Sequence, residues 1–172
     1  MPTPTLTTDR LVLRAFRNSD WDDYADLMAD MEVQRFLAGR AFSREESWTS
    51  MATFLGSWEL RGHGMFAVEH AGRFVGRVGI YHPPDWPEPE LGWTIAQAEW
   101  GHGFATEAAA AVRTWAFTTR GWTRLVSFIA KENTRSQRVA EKLGAVRDRP
   151  ITLRDQTVEQ WVHPTARQGV VA

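Results

Sequence analysis

The chain of 172 residues has the length of one domain, and its 43% apolar content can fill a sizeable core. Twenty basic residues against 21 acidic ones leave a net charge of −1, so there is no general attraction for nucleic acid or membrane. Cysteine is absent, which excludes disulfides, thiolate metal sites and a cysteine acyl-enzyme.

A single domain over residues 1–172 is expected. Met1-Pro2-Thr3-Pro4 lacks the charged and apolar regions of a signal peptide, and no run approaches the roughly 20 apolar residues of a membrane span, so a cytoplasmic protein is expected. Charge is distributed unevenly. Residues 18–32 carry Asp20, Asp22, Asp23, Asp26, Asp30 and Glu32 with no Lys or Arg, whereas 120–154 hold nine of the twenty basic residues against three acidic ones. A basic C-terminal half suits an anionic ligand, and an ordinary solvated surface would read the same way.

In chain order, Thr8 to Phe16 predicts a strand. Ser19 then stands as a cap before a helix with Trp21, Tyr24, Leu27 and Met28 on one face and three acids in its first turn. A short helix is expected over 32–37, ended by Gly39. Ser43 and Glu46 form a capping-box pattern ahead of a longer helix in which Trp48, Met51, Leu55 and Trp58 share a face, closed by Gly62 and Gly64. Residues 65–69 and 74–81 read as a hairpin around His70, Ala71, Gly72 and Arg73. Four prolines in residues 82–89 exclude regular structure there. After the central segment, 125–130 predicts a strand, 136–143 a helix stopped by Gly144, and 145–153 with 157–163 a second hairpin. Trp21, Trp48, Trp58 and Trp115 lie on apolar helix faces and are expected in the core.

The central segment, Glu90 to Phe117, organises the rest. Leu91, Trp93 and Ile95 alternate with Gly92, Thr94 and Ala96 as in a strand. Gly101 and Gly103 flank His102, and from Phe104 onward Ala105, Ala108, Val112 and Trp115 recur at helical spacing. A glycine turn that opens a helix lets a ligand approach the backbone, where unpaired N–H groups carry the positive end of the helix dipole. Such a turn suits a phosphate or pyrophosphate. The G-x-x-x-x-G-K-[ST] signature of nucleotide triphosphate sites is absent. The dinucleotide fingerprint G-x-G-x-x-G fails at Thr106, and no carboxylate stands in Gly121-Trp122-Thr123-Arg124, where a ribose partner belongs. The five histidines show no metal-type spacing, so no metal is expected.

The run Trp100-Gly101-His102-Gly103-Phe104-Ala105-Thr106-Glu107-Ala108, after a strand carrying Glu90, Gly92 and Trp93, resembles the coenzyme A loop of the GCN5-related N-acetyltransferase (GNAT) family. Thr8 to Arg14 is similar to the opening strand of the branch that acetylates ribosomal-protein N-termini. Asn133-Thr134-Arg135-Ser136 followed by Glu141-Lys142-Leu143-Gly144-Ala145 is similar to its second cofactor segment. The three segments run in the expected order from residue 8 to 145. The resemblance implies an α/β fold of the α+β type: a twisted, mostly antiparallel mixed sheet, splayed beside the central strand, with helices on both faces.

The same resemblance implies transfer of an acetyl group from acetyl-coenzyme A to a primary amine. It places Trp93, Thr94, Ile95, Gly101, His102, Gly103, Phe104, Ala105, Thr106, Asn133, Ser136 and Lys142 at the cofactor. Ser136 is the expected proton donor to the leaving thiolate, because the serine of this segment in the relatives sits near the cofactor sulfur; a helix-capping role would use the same residue. The tyrosine that many members place seven residues after the asparagine is Ala140 here, and the Gln or Arg often found three residues before the first glycine is Ala98. Glu90, at the start of the central strand, is the expected base or water-holder, or else solvated surface. Backbone N–H groups near Trp93 and Thr94 suit the oxyanion. Trp86, Glu90 and Trp93 are expected to line the acceptor pocket. Without cysteine, direct attack in a ternary complex is the natural route. The acidic first helix would attract a cationic acceptor such as a protein N-terminus, polyamine or aminoglycoside. A non-catalytic acetyl-coenzyme A sensor on the same fold is the alternative. Dimerisation would be unsurprising, although no stretch indicates it.

Overall fold

A computed structural model describes residues 2–165; the remainder of the expected domain, residue 1 and residues 166–172, lies outside the described residues. Eight strands form one sheet: β1 (Leu6–Thr7), β2 (Leu11–Arg14), β3 (Met65–His70), β4 (Arg73–Tyr81), β5 (Glu90–Ile95), β6 (Val126–Ile129), β7 (Val146–Leu153) and β8 (Gln156–Val162). Their order is β1-β2-β3-β4-β5-β6-β8-β7. Every pairing is antiparallel except β5 with β6, which are parallel and joined at the single position Glu90 opposite Val126. The sheet therefore parts beside the central strand, and the fold is the mixed α/β type expected.

Alternation along the strands divides the core in two. Phe66 and Val68 of β3 and Val78 and Ile80 of β4 face α4 (Phe104–Thr118), which contributes Phe104, Ala108, Val112 and Trp115. Met65 and Ala67 face the other way, onto α1 (Trp21–Ala29) and α3 (Arg44–Arg61) through Tyr24, Met28, Met51 and Phe54. α2 (Met31–Gln34) follows α1, and α5 (Thr134–Lys142) packs Ala140 against Ile129, Ala145 and Trp161.

Several local expectations are corrected. The strand over 8–16 is broken, because Thr8 Oγ1 accepts from the Leu11 N–H at 3.0 Å and turns the chain between β1 and β2. Asp20, not Ser19, organises the start of α1: its carboxylate accepts the Arg17 N–H at 2.8 Å. α2 is shorter than expected and is capped by Asp30. The capping box of Ser43 and Glu46 is present and Gly62 ends α3 in the left-handed region, but the buried face of that helix is Ser47, Met51, Phe54 and Trp58. Trp48 is 51% exposed; it meets Trp21 edge-on at 5.4 Å outside the core. The 3,4,3 spacing of large residues was a valid helical signal but was phased one position away from the stripe that faces the sheet. α5 begins two residues earlier than expected because Asn133 is its cap.

Candidate active site

The turn before α4 places Gly101 at φ +85° and Gly103 at φ +82°, conformations that a side chain would strain. Gly103 is the N-cap and carries no side chain to satisfy the first-turn N–H groups, which remain as donors. A second segment holds this turn. Arg10 donates to the His102 carbonyl at 2.9 Å and pairs with Glu107 at 2.6 Å, and Thr8 Oγ1 donates to the same carboxylate at 2.5 Å. Burial pushes the Glu107 carboxyl up, but Thr8 and Arg10 outweigh it and hold it below the usual carboxylate range. The interruption of the first strand thus serves the loop.

A cavity of about 260 Å³ opens on this turn, lined by Gly101, Gly103, Phe104, Ala105 and Thr106 from the turn and Trp93, Thr94 and Ile95 from β5. Asn133, Ser136 and Lys142 complete it from α5. His102 is the one expected cofactor residue outside that lining: it is exposed, and its Nδ1 lies 3.2 Å from the Glu99 carbonyl. Its backbone carbonyl accepts from Arg10, and its ring lies 5.6 Å from that of Phe104. Arg135, Arg138 and Trp100 also line the cavity and were missed from the sequence. Arg135 covers the Trp100 ring at 3.8 Å. The spacing of 135, 138 and 142 on one helix face was the available signal. Orphan N–H donors with Arg138 and Lys142 beside them fit the phosphates of a coenzyme A ligand.

Asn133 Oδ1 accepts the Ser136 N–H at 3.2 Å and so caps α5. The capping role considered for Ser136 is therefore filled by Asn133. Among the described residues nothing hydrogen-bonds the Ser136 hydroxyl.

The parted sheet supplies the next element. The Leu91 carbonyl accepts from Ser127 Oγ at 2.6 Å, and the Ile95 carbonyl from Trp100 Nε1 at 2.7 Å, so odd-numbered residues of β5 turn their backbone toward the gap. By the two-residue alternation Trp93 turns its N–H and C=O there too, whereas Thr94 turns its own toward β4. Of the two donors expected near the oxyanion, the geometry leaves Trp93. Behind the gap, Ser127 Oγ accepts from His163 Nε2–H at 2.9 Å, since its own proton goes to Leu91. His163 is 2% exposed, and burial pushes its pKa down to about 4, so it is neutral.

A second cavity, of about 540 Å³, lies on the α1 and α3 side and is lined by Trp86, Glu90 and Trp93, the three expected acceptor residues. Phe36, Leu37, Trp93, Thr94, Asn133 and Ser136 line both cavities, which therefore meet at the gap. Glu90 Oε2 accepts from Trp86 Nε1 at 3.0 Å. Burial pushes the Glu90 carboxyl up to about 7, against the Trp86 bond, the Phe128 backbone, Arg77 and Arg154. A carboxyl in that range suits a general base. Trp86 is held edge-on to Tyr81 at 5.0 Å, with Arg154 over its ring at 5.1 Å. Tyr81, Arg77 and Arg154 were not picked out from sequence, because a strand residue and a turn residue carry no local sign of a shared cavity.

Among the described residues no group of three or more His, Asp or Glu could hold a metal ion, and no helix is long and apolar enough to cross a membrane.

Two cavities thus meet where the mixed sheet parts. The acetyltransferase (GNAT) domain profile matches residues 10–146, and the chain belongs to that family. It is 33% identical to an acetyltransferase of Agrobacterium tumefaciens whose structure superposes with a TM-score of 0.85 over 96% of each chain. It is 24% identical to the N-acetyltransferase YnaD of Bacillus subtilis, with 83% of each chain covered. RimL, a ribosomal-protein α-N acetyltransferase solved with coenzyme A, shares the fold at 17% identity, with a TM-score of 0.79 over 93% of this chain and 97% of its own.

Proposed function

We propose that this protein transfers the acetyl group of acetyl-coenzyme A to a primary amine by direct attack in a ternary complex. The observation that carries the reading is the meeting of the two cavities at Trp93, Thr94, Asn133 and Ser136, with a carboxyl near neutral pKa on the acceptor side.

An amine attacks only when neutral, and a lysine-like amine with a pKa of about 10.4 is almost wholly protonated at pH 7. Glu90 takes that proton, directly or through a water. The Trp93 N–H faces the carbonyl oxygen as charge develops on it. The free hydroxyl of Ser136 donates to the departing thiolate and takes up in turn, through a water, the second proton that the amine sheds on becoming an amide, so the hydroxyl is restored. The turn at 101–106, Arg138 and Lys142 hold the phosphates at the far end.

Thiol release from acetyl-coenzyme A over a panel of amines and N-terminal peptides tests the reading, with calorimetric titration of acetyl-coenzyme A, NAD and ATP as the binding control. Binding of acetyl-coenzyme A alone, with amine-dependent thiol release, is expected. Heat with NAD and none with acetyl-coenzyme A, or a covalent acetyl-enzyme that survives denaturing gel filtration, would overturn it.

A further inference from the structure

The acceptor cavity contains a buried cation that forms no hydrogen bond or ion pair among the described residues, and the Glu90 carboxyl feels its charge without pairing with it. Arg77 lies in β4 with 9% of its surface exposed and its guanidinium 4.8 Å from the centre of the Phe54 ring. Its Nε–H is buried without a partner, and among the described residues no hydrogen bond or ion pair reaches the group. Arginine keeps its charge at any working pH, and a buried charge without a partner is strongly unfavourable. Glu90 is the sole acid among the residues lining the cavity. It is engaged with Trp86, and its raised pKa leaves it poorly suited as a permanent counter-ion. Gln34 lines the same cavity with a buried Oε1 that receives no donor, and Arg154 adds a second cation over Trp86.

We propose that the acceptor is an amine that also carries a carboxylate, and that Arg77 binds that carboxylate. The proposal rests on the reading of the chain as an N-acetyltransferase. The guanidinium fork matches a carboxylate with two parallel hydrogen bonds. Arg77 is the cross-strand partner of Thr94, next to Trp93. A carboxylate held there leaves an amine a few bonds away, between Glu90 and the gap, with Gln34 Oε1 open to an N–H of the ligand. This departs from the expectation of a cationic acceptor, such as a protein N-terminus, polyamine or aminoglycoside, drawn to the acidic first helix. Asp20 is buried against Arg14 at 2.7 Å, Asp22 pairs with Arg44 at 2.6 Å, and neither lines the cavity. A polyamine would meet Arg77 and Arg154 instead.

The test compares initial rates of thiol release with L-amino acids, the same residues as C-terminal amides, and spermidine. The amide holds the less protonated amine, so intrinsic reactivity runs against the expected result. In the wild type, kcat/KM is expected to favour acids over their amides by at least about thirtyfold, and Arg77→Gln is expected to erase the difference, while Arg77→Lys retains part of it. Amides or spermidine turned over as well as acids, or equal losses of both classes in Arg77→Gln, would overturn the proposal. A readout independent of turnover is calorimetric titration with N-acetyl amino acids and their amides. Preferential binding of the acids by the wild type, lost in Arg77→Gln, supports the carboxylate site even if no amine is acetylated, in which case the enzyme reading alone fails. Equal binding of acids and amides sinks the carboxylate site.

Discussion

Trp86 donates its indole N–H to the Glu90 carboxylate across 3.0 Å, and this bond opposes the burial that lifts the carboxyl to about 7. The pH at which Glu90 becomes a base is thus set by burial against several opposing effects, of which the Trp86 bond is the largest and can be removed by substitution. The rate is expected to rise with pH through about 7 in the wild type. Glu90→Gln is expected to lose that limb together with roughly 100-fold or more in kcat. Trp86→Phe removes the bond that favours the charged form and moves the limb to higher pH. A pH–rate profile for each variant decides this, and an unmoved limb in both would remove Glu90 from the mechanism.

His163 and Glu90 give opposite stability trends. The His163 pKa is depressed from 6.5 to about 4, so the unfolded chain binds more protons between those values. Its contribution is full above pH 6.5 and is lost as pH falls through 4, with a ceiling of ~3 kcal/mol. The Glu90 pKa is raised from 4.5 to about 7, so its contribution is present below 4.5 and lost as pH rises through 7. The trends offset each other in the wild type. Urea denaturation from pH 4 to 8 is expected to show a steeper rise in stability with pH for Glu90→Gln, and the reverse slope for His163→Gln.

Ser136 and Asn133 separate chemistry from capping. Ser136→Ala is expected to lower kcat by about 100-fold, with melting temperature and acetyl-coenzyme A affinity near wild type. Asn133→Ala removes the cap of α5 and is expected to cost about 1 kcal/mol of stability. A loss of stability in Ser136→Ala with kcat intact would reverse the assignment.

At Gly103, a side chain at φ +82° is strained by about 1–2 kcal/mol. Gly103→Ala is expected to lower stability by about that much and to weaken acetyl-coenzyme A binding more than acceptor binding, as read by calorimetry and by KM for each substrate.

Two tryptophans of one helix provide a control on packing. Trp58 is 3% exposed, packs on Phe66 and Trp115, and donates to the Met65 carbonyl at 2.9 Å. Its replacement by Ala is expected to cost about 3–5 kcal/mol. Trp48→Ala, at the exposed pair with Trp21, is expected to cost under about 1 kcal/mol.

The sequence by itself determined the order of elements, the glycine turn and the family, because these rest on local signals. Period-2 and period-3.6 patterns, the capping box at Ser43 and Glu46, and left-handed glycines act within a few residues of chain. That Ser136, Asn133 and Trp93 line the cavities was legible through motif position, that Glu90 does through its place at the start of the central strand, and that Trp86 does through its place in the proline-rich loop. What only the tertiary structure decided depends on residues far apart in sequence. The break at Thr8 makes sense only with Glu107 beside it. Which stripe of α3 is buried was set by the sheet, not by the helix. The pKa of Glu90 arises from burial, opposed by the Trp86 bond. That Arg77 forms no ion pair among the described residues was invisible in the strand that carries it, because the lack of a partner is a property of every element packed around it.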